Sequence, residues 1–351
     1  MPVTPAEPAS TYTATSMDAT KVLITGGAGF IGSTIASACA DADMQPILVD
    51  NLSRGTRAFV RDFEFHEVDC GDRDAMSRIL DAHPDLYAVI HCAALINVPE
   101  SVAMPGEYYE NNVAKLITLA SLLRGRGTRF VFSSSASIYV PGSDFAVDEN
   151  SSIGAGSPYA RTKVVGEWLL GDLAEAGALK VVSLRYFNPI GADPQLRTGL
   201  ADPAPTHAMG KLVEARAHGR PFTITGTDYP TRDGTGIRDY IHVWDLARAH
   251  VAALAHFDQV VDEPTGFRAI NLGTGSGTTV RELVDAFREV VPDSLAPVEA
   301  PRRSGDAVGC FTRSDLAATL LGWEPQLTLA DGISGSLAWA EIREERVVAG
   351  R

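Results

Sequence analysis

The chain is short of positive charge, cysteine and aromatic residues, and it has no long apolar run. Its 30 Lys and Arg face 44 Asp and Glu, a formal net charge of −14, which excludes a general nucleic-acid binder. Any anionic ligand must then be met by local donors: helix N-termini and a few well-placed arginines. The four cysteines, Cys39, Cys70, Cys92 and Cys310, show neither C-x-x-C spacing nor a neighbouring His cluster. That points to reduced thiols in the cytoplasm, with no disulfide framework and no metal site expected. No stretch approaches the length of a membrane span, so no membrane partner is expected either. The opening "MPVTPAEPASTYTATSMDAT" has neither the basic start nor the apolar stretch of a secretory signal. Residues 1–20 read as a disordered extension, with Met17 an alternative start. A length of 351 residues and a hydrophobic content of 45% leave room for a large core and two lobes.

What is present begins at "KVLITGGAGFIGS". Lys21 to Thr25 has the β-branched, apolar character of a buried parallel strand, and "STIASACADA" reads as a helix. Between them Gly26, Gly29 and Gly32 form G-x-x-G-x-x-G, which lets a backbone approach a pyrophosphate seated on the helix N-terminus. Phe30 and Ile31 complete this candidate cradle. A second strand, "PILVD", ends in Asp50, followed by Asn51. A carboxylate there accepts from both adenosine ribose hydroxyls and repels a 2′-phosphate, favouring NAD over NADP. Arg54 argues weakly the other way.

Further strands alternate with helices: "FEFHEVDCGD", carrying Asp69 and Cys70; "YAVIHCAAL", carrying Ala93 and Ala94; and "RFVFSSSASIY", carrying Ser133 and Ser135. The alternation implies an α/β fold, a doubly wound parallel (Rossmann) sheet with its ligand at the carboxyl ends of the strands, joined to a smaller C-terminal lobe. Asp69 is placed to reach the adenine, Ala93 to pack on the cofactor, and Asn112 to offer a buried amide beside it. For each of these a purely structural role is an equal alternative. Tyr186, in "LRYFNP", completes the candidate cofactor set.

"SPYARTK" sets Tyr159 four residues ahead of Lys163, on one face of a helix that follows the serine-bearing strand. By itself the pair is commonplace; inside a nicotinamide-binding lobe it forms a proton-transfer unit with Ser135. A tyrosine base needs its pKa moved from about 10 toward neutrality. An ammonium one turn away and the positive nicotinamide ring are expected to supply that shift.

Eight stretches together carry a resemblance: "GGAGFIG", "DNLSRG", "FSSSASIY", "SPYARTK", "LRYFNPIGADP", "GTDYPTRDGTGIRDYIHVWDLARAH", "NLGTGSG" and "PRRSGD". From about Lys21 to Trp339 the chain resembles the UDP-galactose 4-epimerase family of extended short-chain dehydrogenase/reductases. The resemblance implies a 4-epimerase of UDP-hexoses with NAD bound throughout the cycle. It also implies roles in substrate binding. Asn188 meets the phosphate region, and Arg238 and Arg303 are forked cations suited to the pyrophosphate. Asp306 faces the uridine ribose, His207 stands near a family asparagine facing the sugar, and Thr225 lies beside the uracil. Cys310 borders the 2-substituent of the hexose, where its small side chain leaves room for an N-acetyl group.

The chain departs from the family at Ile96, where a lysine often contacts the cofactor, at Thr225, where an aromatic is common, and at Val140, where glycine is usual. A nucleotide-sugar 4,6-dehydratase is the nearest rival, but the places of its Asp-Glu acid pair hold Ala136 and Ser137. A non-catalytic NAD-sensing module and a net oxidoreductase are more distant alternatives. The expected organisation is an NAD-binding domain over 21–187, with 238–275 returning to it, and a substrate lobe over 188–237 and 276–345. A homodimer is expected through the helix bearing Tyr159 and the one following Asn112; "VVGEWLLGDLAEAG" has the apolar face for it, though the same face suits intramolecular packing.

Overall fold

Alternate residues of β1 (Lys21–Thr25) enter two separate cores: Val22 and Ile24 one, Leu23 the other. A strand covered on both faces must be apolar throughout, which is why "KVLIT" shows no alternation. The computed structural model describes residues 20–261, 265–302 and 307–348. The expected N-terminal extension up to residue 19, Arg303 and Asp306 therefore lie outside the described residues.

Around β1 run β2 (Gln45–Asp50), β3 (Glu64–Glu67), β4 (Ala88–His91), β5 (Arg129–Ser135) and β7 (Lys180–Tyr186), while β6 (Ala146–Val147) stands apart from this sheet. The order is Phe267–Leu272, β7, β5, β4, β1, β2, β3, seven strands with every neighbouring pair parallel. The chain winds outward from β1 in both directions, so the order reverses between β1 and β4, where a doubly wound sheet opens its crevice.

One face carries α1 (Phe30–Asp41) and a later helix, Val243–Ala255. The other face carries α2 (Arg73–Ala82), α5 (Lys115–Leu123) and α6 (Pro158–Glu175), with the short α3 (Val98–Ala103) and α4 (Pro105–Tyr109) ahead of α5. As the residue pattern predicts, "FRAINL" returns to the sheet beside β7 and "VRELVDAFREV" forms a helix, Val280–Val290, closed by a Thr279–Glu282 capping box.

That helix packs with α7 (Ala208–Ala217) around a third core of Ile190, Met209, Leu212, Ile224 and Phe287. The long helix Leu329–Val348 packs on this core and on the turn Arg57–Val60 between β2 and β3. Its Ile333 joins the third core, while Trp339 packs tilted against Phe59, with ring centroids 5.6 Å apart, and donates to the Leu200 carbonyl at 2.9 Å. Among the described residues no helix is long and apolar enough to cross a membrane.

Candidate active site

The carboxyl ends of β1, β2, β4, β5 and β7 converge on the edge that the glycine turn enters. Gly26 adopts φ +70° and its N–H donates to the Val49 carbonyl at 2.8 Å. A Cβ on Gly26 would lie 2.7 Å from the Ala93 backbone nitrogen, and one on Gly32 would lie 2.2 Å from the Gly26 carbonyl oxygen. Only glycine permits this turn. Gly29 caps α1 without any side-chain bond, so the amides of Phe30, Ile31 and Gly32 open toward the crevice as an uncapped helix start.

Asp50 closes the other side of the turn. Its carboxylate accepts from the Leu52 N–H at 2.7 Å and the Ala28 N–H at 3.1 Å, which leaves lone pairs for a ribose diol. Burial raises its pKa while those two amides work against the shift. Arg54, the one feature that argued for a 2′-phosphate, is held by Glu100 at 2.6 Å. Asp69 is fixed from three directions, by Lys115 at 2.6 Å, the Gly71 N–H at 2.8 Å and the Asn51 amide at 2.9 Å. An uncapped helix start, a turn too tight for any Cβ and a free carboxylate edge together fit the adenosine diphosphate end of NAD.

Asn112 lies in a π-helical turn, Glu110–Ala114, of the kind that re-aims side chains at functional sites. Its amide is wholly spent inside the protein: Oδ1 accepts from the Leu95 N–H and the Asn111 amide, and Nδ2 donates to the Leu95 carbonyl and Thr162. It therefore ties the loop after β4 to α6 and has no bond left for a ligand.

Ser157 caps α6 by accepting from Ala160, and Pro158 fills the first turn, so the helix starts immediately before Tyr159. Lys163 is buried, and its ammonium donates to the Ser133 carbonyl at 2.7 Å and lies 5.1 Å from the Phe132 ring centroid. Burial brings its pKa down to about 8, against the pull of Cys92 and Glu167. The Tyr159 ring centroid is 5.9 Å from the same nitrogen.

The expected lowering drew on both Lys163 and the nicotinamide ring, and in the chain alone the balance runs the other way. Burial raises the Tyr159 pKa, and the neighbouring Ser135 hydroxyl is the group that works to lower it. Lys163 spends a proton on the Ser133 carbonyl, so it reaches the phenol only as a charge 5.9 Å from the ring centroid. In the chain alone the phenol stays protonated. Ser135, at the end of β5, accepts from the Ser137 N–H at 3.2 Å.

Beneath this pair lies a polar interior, of which the sequence singled out only Ser133 and Tyr186, and those for the cofactor. Ser133 donates to Cys92 at 3.2 Å and meets the Tyr186 hydroxyl at 2.8 Å, and Tyr186 in turn bonds the buried His250. Arg185 grips Glu167 through two bonds, at 2.7 and 2.9 Å, and reaches the Tyr139 hydroxyl at 2.7 Å; Tyr139 donates to Asn271 at 2.7 Å. The network locks α6 to β7 and to the strand Phe267–Leu272. Its trace in the sequence is a charge on each of two faces that periodicity makes apolar, Arg185 within "VVSLRYF" and Glu167 within "VVGEWLL".

Three of the remaining predicted residues, Asn188, Thr225 and Arg238, sit on short ladders. Asn188 opens Asn188–Ile190, which pairs with Tyr240–His242, and Thr225 ends Thr223–Thr225, which pairs with Val298–Ala300. Arg238 donates to the carbonyls of Ile237 and Val308 at 2.7 Å and of Ala307 at 3.1 Å. His207 is exposed and caps α7, its Nδ1 accepting from Gly210 at 3.2 Å. Cys310 is buried with its sulfur 3.8 Å from the carbonyl of Ala136, the residue after Ser135. Ile96 and Val140 are 66% and 50% exposed, so neither disturbs the core.

Residues 22–273 match the NAD dependent epimerase/dehydratase family. The chain belongs to that family. A UDP-glucose 4-epimerase of Rhizobium leguminosarum bv. trifolii is 42% identical over 91% of this chain and 96% of its own. The fold superposes with a TM-score of 0.86, at 36% identity, on the Stenotrophomonas maltophila UDP-glucose-4-epimerase crystallised with NAD and formylated UDP-arabinopyranose; 93% of this chain and 99% of that one are covered. The UDP-Glc/GlcNAc 4-epimerase of Campylobacter jejuni gives a TM-score of 0.78 at 33% identity, covering 92% of this chain and 99% of that one. Family membership agrees with the seven-stranded parallel sheet and with the glycine turn at its switch point.

Proposed function

We propose that this chain is an NAD-dependent 4-epimerase interconverting UDP-glucose and UDP-galactose through a transient 4-keto sugar, and accepting UDP-N-acetylglucosamine as well. The observation that carries the reading is the meeting of Ser135, Tyr159 and Lys163 with the glycine cradle and Asp50 at one sheet edge. Relatives of up to 42% identity that carry the UDP-glucose 4-epimerase name support the same activity.

NAD, when bound, supplies a hydride acceptor and donor together with a positive ring. The chain's own residues do the rest. The helix start at Gly29–Gly32 and Asp50 hold the cofactor, with Asn51, Asp69, Cys70, Ala93, Ala94, Ser133 and Tyr186 around it. Tyr159 takes the proton of the sugar's 4-hydroxyl and later returns it, and Ser135 bonds the same oxygen. Lys163 anchors the base helix to the Ser133 carbonyl and keeps a positive charge near the phenolate. Asn188, Arg238, Arg303 and Asp306 hold the uridine diphosphate, with Thr225 and His207 beside it. Holding the sugar only through its diphosphate would let either face of carbon 4 meet the cofactor, so a hydride lost from carbon 4 as Tyr159 takes the proton would return to the opposite face and invert that one centre.

We read 21–187 with 238–275 as the cofactor domain, and 188–237 with 276–345 as the substrate lobe. Trp168 on α6, Ile117 on α5 and Tyr109 on α4 are 64%, 48% and 37% exposed, an apolar surface that supports a homodimer. A cytoplasmic setting suits the four free cysteines.

The test is to incubate the purified protein, without added cofactor, with UDP-glucose, UDP-N-acetylglucosamine and UDP-xylose separately, and to resolve the epimers. Conversion of the first two is expected. Conversion of UDP-xylose alone would transfer the reading to a pentose epimerase, and a dehydrated keto sugar would transfer it to the 4,6-dehydratase class.

A further inference from the structure

A side-chain cluster outside the catalytic edge stands where no metal was expected. In β3, Glu64 and His66 are in register with Ile47 and Val49 of β2, whose side chains enter the core that α2 covers. Partners in neighbouring strands share a face, so both residues point to the α2 side, while Phe65 between them packs into the opposite core. His83 is the C-cap of α2 and arrives on that same side. One carboxylate oxygen, Glu64 Oε1, lies 2.9 Å from His66 Nε2 and 3.0 Å from His83 Nε2. The three ligand atoms fall within 4.8 Å of one another.

The geometry points to a site for one divalent transition-metal ion of the zinc class, held by Glu64, His66 and His83. Bond lengths of about 2.0–2.1 Å in a tetrahedron separate neighbouring ligand atoms by roughly 3.3 Å; Glu64 Oε1 stands a few tenths of an ångström short of that from each imidazole nitrogen, and the two imidazole nitrogens lie within 4.8 Å of each other. Two imidazoles and a carboxylate suit zinc, cobalt, nickel or copper and do not suit calcium or magnesium.

The donors are also held in place. Glu64 and His66 sit in a hydrogen-bonded strand, and the His83 backbone is fixed on both sides, its N–H to the Leu80 carbonyl and its C=O from the Leu86 N–H. His83 Nδ1 is buried without a partner, so the ring is held only at Nε2, by Glu64 Oε1, and a metal ion would take the place of the Nε2 proton that this bond uses. Glu64 and His66 are 48% and 31% exposed, which leaves the fourth position to water. An ion here would clamp the edge strand of the sheet to the end of α2. Cysteine spacing gives no hint of it, because two ligands lie on a strand and the third beyond a helix.

The test uses untagged protein stripped with chelator and titrated with Co²⁺ as probe, with Glu64→Gln and His83→Asn in parallel. Glu64→Gln keeps the size of the side chain and the acceptor for both imidazoles, so a folded variant is secured. Wild type is expected to bind one Co²⁺ with the visible absorption of tetrahedral coordination, and each variant is expected to bind at least tenfold more weakly. Zn²⁺ is expected to displace the Co²⁺ and to raise the melting temperature of wild type but not of Glu64→Gln, as binding to the folded state alone requires. A wild type without tetrahedral Co²⁺ bands, or variants that bind as tightly as wild type, would overturn the assignment.

Discussion

The two sides of Tyr159 are built differently. On the Gly26 side, the candidate groups sit at the ends of strands in a seven-stranded sheet, with Asp69 tied by three bonds and the buried Lys163 fixed to the Ser133 carbonyl. On the Arg238 side, they hang on two-stranded ribbons: Ile237–Arg238 with Thr278–Thr279, Asn188–Ile190 with Tyr240–His242, and β6 with Phe311–Thr312 beside Cys310. A ladder of two or three residues opens at little cost, whereas a central strand opens only with the whole fold. The contrast suits a reaction in which cofactor and base must hold still while a sugar turns over.

The sharpest way to break that comparison is at the buried pair behind α6. Glu167→Ala strands Arg185, which is 5% exposed, and is expected to cost about 3–5 kcal/mol of unfolding free energy in urea titration. A loss below about 1 kcal/mol would mean that the sheet side is no stiffer than the ribbons.

Lys163 gives a pH-resolved version. Its folded pKa of about 8 lies below its ordinary 10.5, so between those values the unfolded chain binds a proton that the folded chain does not. Stability contributed at this site must then rise as pH climbs from 8 toward 10.5. Cofactor-free wild type is expected to gain on Lys163→Met by at most about 3 kcal/mol across that range, from 1.36 kcal/mol per unit. A stability difference that stays level with pH would show that the ammonium is not desolvated.

Tyr159→Phe is expected to bind NAD and UDP-sugar normally and to lose at least about 100-fold in turnover, the scale of a general base. Near-normal turnover would remove Tyr159 from the chemistry. The smallest and most selective effect belongs to the ribbon side. Cys310→Tyr is expected to abolish conversion of UDP-N-acetylglucosamine while sparing UDP-glucose, with Cys310→Ser retaining both. A tyrosine variant that still converts the N-acetyl sugar would place the size limit elsewhere.

Much of the sheet side was legible because its physics is local. The glycine turn, Asp50 and the α6 start each follow from a few adjacent residues, and the strand Phe267–Leu272 from its own composition. What escaped is long-range. Asn112 is a buried amide at the expected place, but only the fold shows that Leu95, Asn111 and Thr162 consume its bonds. The Lys163 ammonium is one turn from Tyr159 as spacing requires, yet its direction depends on where β5 leaves the Ser133 carbonyl. The Glu64, His66 and His83 cluster needs both strand register and a helix end.

The helix Leu329–Val348 has a consequence for how the protein is made. Trp339 closes over Phe59 and Gly199, where a Cβ would come 2.4 Å from the indole. Phe59 leaves the ribosome long before its cover exists. At roughly 5–20 residues per second, the nascent nucleotide-binding half waits on the order of ten seconds or more with that apolar patch bare. In that interval the patch around Phe59 is open to a chaperone.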